Sequence, residues 1–151
     1  MNTNEALKKL LAVLMALGLF FVLGEALIRA YLRFNIAYDI EMTRYALHLK
    51  DDSPNPRIGH VHRPNSSMRL MGVPVEINSD GLRDEEYPVQ RSDAYRVIFL
   101  GDSLTFGWGV KQEETFHHLL EERLGETSPT EIPTFGTGNY NTEQEVELFL
   151  E

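Results

Sequence analysis

A serine hydroxyl does chemistry when the chain presents it beside groups that can hold negative charge, and one stretch here has the residues for that. Arg96-Val-Ile-Phe-Leu-Gly-Asp-Ser-Leu-Thr-Phe-Gly107 is a short run of strand formers, Val97 to Leu100, stopped by Gly101 and followed at once by Asp102 and Ser103. Open α/β sheets bind their ligands at the carboxyl ends of such strands. Backbone N–H groups of the turn that follows can stabilise an anion there. A serine so placed predicts nucleophilic attack on a carbonyl carbon, that is, acyl transfer. Gly-Asp-Ser is also ordinary turn chemistry, so the bland alternative is a simple Asp-Ser turn. A nucleotide-binding loop is a poor alternative, because no Gly-Lys-Ser/Thr follows to hold phosphate and magnesium.

Gly101-Asp102-Ser103-Leu104, flanked by Tyr-Arg-Val-Ile-Phe-Leu and Thr-Phe-Gly-Trp-Gly-Val, resembles the first block of the SGNH, or GDSL, hydrolases. The resemblance implies that Ser103 is the nucleophile and that its own N–H is one oxyanion donor. It also implies that Asp102 supports the turn, since the family's triad acid lies elsewhere. Gly136-Thr-Gly-Asn-Tyr-Asn-Thr142 resembles the second block, where a glycine N–H contributes to the oxyanion hole. Aligned on Tyr140-Asn141-Thr142, the expected glycine position holds Asn139, with Gly138 one place earlier, and Thr134 replaces the family's asparagine at the head of the block. Either Gly138 or Asn139 can supply the donor, since asparagine tolerates left-handed geometry best after glycine. The alternative is that residues 136–141 are only a strand-to-helix loop.

Two further family blocks have no counterpart. Gly-x-Asn-Asp, the source of an oxyanion asparagine, is missing, as is Asp-x-x-His, the source of the base and its orienting acid. None of His48, His60, His62, His117 and His118 has an aspartate three residues before it. The expectation is a truncated domain in which Ser103 lacks its base and has negligible esterase activity alone.

The elements that would position Ser103 follow from pattern. Glu113 to Leu124 predicts a helix with acids in its first turn, an apolar stripe of Phe116, Leu119, Leu120 and Leu124, and Gly125 as its C′ residue. His118 projects off that stripe and His117 lies at its margin. Glu131-Ile-Pro-Thr-Phe135 predicts a poor second strand, since Pro133 lacks a ladder donor. Thr142 with Glu145 reads as a capping box opening another amphipathic helix. Strand, helix, strand, helix implies a parallel α/β fold, and the resemblance implies an incomplete three-layer SGNH-type (flavodoxin-like) parallel sheet domain.

The amino-terminal part has another character. Leu10 to Gly24 is uninterruptedly apolar, about 22 Å as a helix, and extension to Ile28 brings it near the ~30 Å of a hydrocarbon core. A signal anchor fits best. A cleaved signal lacks a convincing small-x-small site, and a buried amphipathic helix would need a polar face. The first 33 residues carry a formal +2, while the other 118, with 10 basic and 21 acidic residues, carry −11. An acidic domain behind a basic leader argues against a nucleic-acid partner, and positive-inside logic puts that domain outside the cytoplasm. The absence of cysteine excludes disulfides and thiolate metal sites.

The expected organisation is a cytoplasmic stub (1–9), a transmembrane anchor (10–28), a juxtamembrane helix and linker (29–56), a lead-in with short strands and turns (57–94) and the hydrolase-type part (95–151). Pro64-Asn65 through Asn78, Gly81 and Arg83 resembles the lead-in of membrane-attached SGNH-type proteins. Within these segments Asp51 to Pro56 reads as linker, and His60 and His62 as surface histidines without enough neighbours for a metal. Arg83 reads as a solvated charge beside Asp84, Glu85 and Glu86. The expected partners are the bilayer, through residues 10–28, and an ester-bearing small molecule, lipid or glycan, with no cofactor and no metal. A non-catalytic, membrane-tethered binding or assembly module is the second expectation.

Overall fold

Thr3–Phe34 forms one helix of 32 residues, α1, in a computed structural model that describes residues 3–88, 90 and 93–151. Positions 1 and 2 of the expected stub, and 89, 91 and 92 of the lead-in, lie outside the described residues. At 1.5 Å per residue α1 is about 48 Å long, more than a ~30 Å hydrocarbon core needs. Its apolar stretch, within Asn4–Arg33, is long and apolar enough to cross a membrane and has no buried residue in it. Glu25 is paired one turn on with Arg29 at 2.7 Å, which reduces the cost of an acid next to the apolar run. Asn35 ends the helix by donating from its backbone and side-chain nitrogens to the Tyr31 carbonyl.

The second compact unit runs Tyr38–Glu151. It opens with α2 (Tyr38–Leu49), continued by β1 (Lys50–Asp52), which pairs antiparallel with β2 (His60–His62). Asp51 and Asp52 are therefore strand residues, not linker. An edge strand tolerates acids well, and Arg63 forks onto Asp51 with its Nη2 at 2.7 Å. The rest of the expected linker is a tight turn, with the N–H groups of Ile58 and Gly59 donating to the Asn55 carbonyl. β3 (Ser67–Leu70) and β4 (Val73–Glu76) form a hairpin whose two loop residues, Met71 and Gly72, both have positive φ, as a tight primed turn requires.

Two short parallel pairs follow. β5 (Tyr95–Arg96) lies beside β7 (Thr130–Glu131), and β6 (Phe99–Gly101) beside β8 (Thr134–Gly136). The Val97 N–H still reaches the Glu131 carbonyl and Phe99 reaches Pro133, so the pairs are one ladder broken at Pro133, where the donor is missing. On the outer edge, Ile132 and Thr134 donate to the carboxylates of Glu121 and Asp84, each at 3.0 Å. The fold is thus mixed α/β with short strands in parallel pairs, and among the described residues every sheet has only two strands.

Helical corrections have local causes. The expected helix from Glu113 begins later: Gln112–Glu114 is a 3₁₀ turn, Thr115 is extended, and α4 spans Phe116–Gly125. Gly125 is its last residue and Glu126 the cap. The final helix, α5 (Thr142–Leu150), is boxed one residue earlier than expected, because Asn141 is the extended residue and pairs reciprocally with Gln144. A one-turn helix, α3 (Ser103–Phe106), follows β6. The core is Tyr45, Leu49, Leu70, Val75, Ile77 and Phe106. All but Phe106 come from the segment before the serine block.

Candidate active site

Asp102 is the N-cap of α3, its Oδ1 accepting from the Leu104 N–H at 2.9 Å, so it supports the turn as expected. The single turn sits directly on two glycines. A Cβ at Gly101 would fall 2.0 Å from Thr105 Oγ1, and one at Gly136 2.3 Å from the Phe106 nitrogen. No side chain fits at either place, so Gly101 and Gly136 set the serine turn over the carboxyl ends of β6 and β8. Ser103 is half-buried. Among the described residues neither its hydroxyl nor its N–H has a hydrogen-bond partner. The N–H is one of the orphan donors at the start of any helix.

The loop after β8 reaches the same edge. Thr137 donates to the Gly101 carbonyl at 3.0 Å. Gly138, one of the two expected oxyanion donors, has its N–H already committed to Tyr45 Oη at 3.0 Å. Its carbonyl accepts from Lys50 Nζ at 2.5 Å. Asn139 is exposed, has φ of +70°, and its N–H has no partner among the described residues. The free donor of this loop is therefore Asn139. Gly138 supports it, because a Cβ there would lie 2.8 Å from the Tyr45 ring.

Arg83 corrects a sequence expectation. It is buried, and its guanidinium donates to the carbonyls of Phe106 at 2.9 Å, Gly107 at 2.5 Å and Val110 at 2.7 Å. The loop leaving α3 turns three carbonyls inward, and only a fixed fork of donors satisfies them together. Cations also suit the carboxyl end of a helix. Of the three acids that suggested solvation, Asp84 turns inward as well, and burial pushes its carboxyl up to about 6.

His62 is buried, not superficial. Its Nδ1 faces the Gly81 carbonyl at 3.0 Å and must carry the proton, so Nε2 accepts from the Tyr45 hydroxyl at 2.6 Å. Burial pushes this imidazole down to about 3, which keeps it neutral. Burial likewise raises the Tyr45 hydroxyl. His60 is half-buried, its Nε2 2.8 Å from Lys50 Nζ. His117 is the buried residue of α4, 3.0 Å from Thr115 Oγ1, and burial pushes it down to about 4 with a further push from Arg83. Of the expected stripe, Phe116, Leu119 and Leu124 are exposed and Leu120 is half-buried. Among the described residues no histidine is hydrogen-bonded to Ser103, and no three metal-ligating side chains converge.

Sequence reasoning missed Tyr45, Lys50 and Arg83, which together hold the two loops. Their spacing carries no periodic signal. No protein-family model matches this chain, and no curated protein matches it.

Proposed function

We propose that this chain carries the nucleophile half of an SGNH-type serine hydrolase site, tethered to a membrane by α1. The site would process ester bonds of a lipid, glycan or small molecule outside the cytoplasm. One observation carries the reading: a serine hydroxyl and two N–H groups, of Ser103 and Asn139, which have no partner among the described residues, lie on the turns that follow two adjacent parallel strands. Ser103 would attack the acyl carbon and those N–H groups would receive the oxyanion. The hydroxyl proton needs a base that the described residues do not bring to it. Loss of the histidine in a serine protease costs about 10⁶ in kcat, so turnover of a nitrophenyl ester by the chain alone is expected to be negligible. That no histidine contacts Ser103 among the described residues also favours a second reading, a membrane-tethered binding or assembly module that keeps the scaffold without the chemistry.

Reaction of the purified chain with a fluorophosphonate, with imidazole added as the base, separates the two. An oxyanion hole and binding alone are worth about 10³-fold or more, so mass spectrometry should find Ser103 modified well ahead of the exposed Ser67, Ser79 and Ser128, and no such fast-labelling site in Ser103→Ala. Modification of Ser103 no faster than of those serines would leave the binding module standing.

A further inference from the structure

We propose that Lys50 is the positioning residue of the oxyanion site, fixing the Gly138–Asn139 peptide so that the Asn139 N–H is presented outward. This rests on the reading of Ser103 as nucleophile.

The Gly138 carbonyl and the Asn139 N–H belong to one peptide unit. Among the described residues no cis peptide bond is present, so the two groups point in opposite directions. Lys50 Nζ holds the carbonyl inward at 2.5 Å. The next peptide back is held as firmly, since the Gly138 N–H donates to Tyr45 Oη. With both inner groups occupied, the Asn139 N–H has to project away from the core, and Asn139 adopts the left-handed φ that this demands.

Gly138 makes a lock necessary. A glycine rotates easily, and a flipped peptide would turn the carbonyl oxygen toward the oxyanion and repel it. Hydrogen bonds in series also polarise one another, so an ammonium on the carbonyl strengthens the N–H at the other end of the same amide.

A packing role does not account for a lysine here. Lys50 is buried and 4.4 Å above the Tyr45 ring. Desolvation pulls its amine down to about 8, so the fold carries a cost that methionine would avoid. The ammonium is engaged by the carbonyl, by His60 Nε2 at 2.8 Å and by the ring face, and His60 Nε2 itself lies 3.3 Å from the same carbonyl. The titratable and charged groups around it are His60 and Asp52 on the β1–β2 pair, His62, Tyr45 and Tyr140. His60 and His62 are both held below 6.5, so a transition near 8 belongs to Lys50.

The test uses the full chain, ¹³C,¹⁵N-labelled in detergent micelles. Carbon-detected spectra follow the Gly138 ¹³C′ and Asn139 ¹⁵N signals from about pH 6 to 9.5. Both should titrate with a midpoint near 8 in the wild type. They should be flat in Lys50→Arg, which keeps the charge throughout and keeps the test informative if Lys50→Met does not fold. Fluorophosphonate labelling of Ser103 should fall about tenfold in Lys50→Met, a fraction of the 10²–10³ reported for removing a donor outright, and stay within a few-fold in Lys50→Arg. Flat wild-type signals, or wild-type labelling in a folded Lys50→Met, would overturn the inference. If no variant labels Ser103 preferentially, the nucleophile reading fails, and the titration alone decides whether Lys50 holds the peptide.

Discussion

The wall behind the Gly138 loop and the outer face of α4 are built from similar residue types and end in opposite states. Behind the loop, Tyr45 and Leu49 have no exposed surface, and Tyr45 packs its ring on Phe106 and Trp108 at 5.2 Å each. Its hydroxyl, His62 and Lys50 are joined in one chain of hydrogen bonds. On α4, Phe116 and Leu119 are about half exposed, and Phe116 touches Phe99 edge-on at 5.4 Å. The sheet repeats the contrast. The β7–β8 edge has its donors taken up by Glu121 and Asp84, while no further strand lies beside β5–β6 among the described residues. The core that stabilises the fold therefore comes mainly from the segment that precedes the serine block, while Gly101 and Gly136 seat the serine turn.

Unfolding of the chain in micelles, followed through its single tryptophan, Trp108, tests that division. Phe106→Ala should have the largest effect, a loss of about 3–5 kcal/mol, since it empties the position where the serine turn meets the core. An unchanged midpoint would mean the wall is not the stabilising side.

Acid comes next. His62 is held at about 3 and His117 at about 4, both below the unfolded 6.5. Below pH 6.5 the unfolded chain binds more protons, so stability falls as pH drops from 6.5 toward 3. Asp84, raised to about 6, works the other way between its two values. A net loss of roughly 2–3 kcal/mol from pH 7 to 4.5 is expected, and Asp84→Asn should deepen it. Stability that is flat over this range would show that His62 is not buried neutral. Smallest is Leu119→Ser, expected to change stability by no more than about 0.5 kcal/mol. A cost above about 2 kcal/mol would mean that this face is covered.

Much of the backbone plan was legible. A strand leading to Gly101 follows from propensity, although of the expected run only Phe99 and Leu100 are strand and Val97 and Ile98 lie between β5 and β6, and Asn78 to Gly81 turns as its residues require, with Gly81 donating to the Asn78 carbonyl. The errors share a cause. Arg83 and His62 read as exposed because they are polar, and His117 reads only as lying at the margin of the α4 stripe. Each is instead buried against a partner supplied from a distant part of the chain: the 106–110 carbonyls, Tyr45 with Gly81, and Thr115. The apolar stripe of α4 is largely exposed, and apolar atoms make up much of any surface.

By itself the sequence determined that a serine follows a strand and a capped turn, and that a helix able to span a membrane stands at the amino terminus. Short-range preferences suffice for both. Only the tertiary structure decided which N–H at the second loop is free. Gly138 and Asn139 are adjacent and both plausible in sequence. Tyr45 and Lys50, about ninety positions away, consume one and release the other. Long-range hydrogen bonds of that kind leave no periodic trace in a single chain.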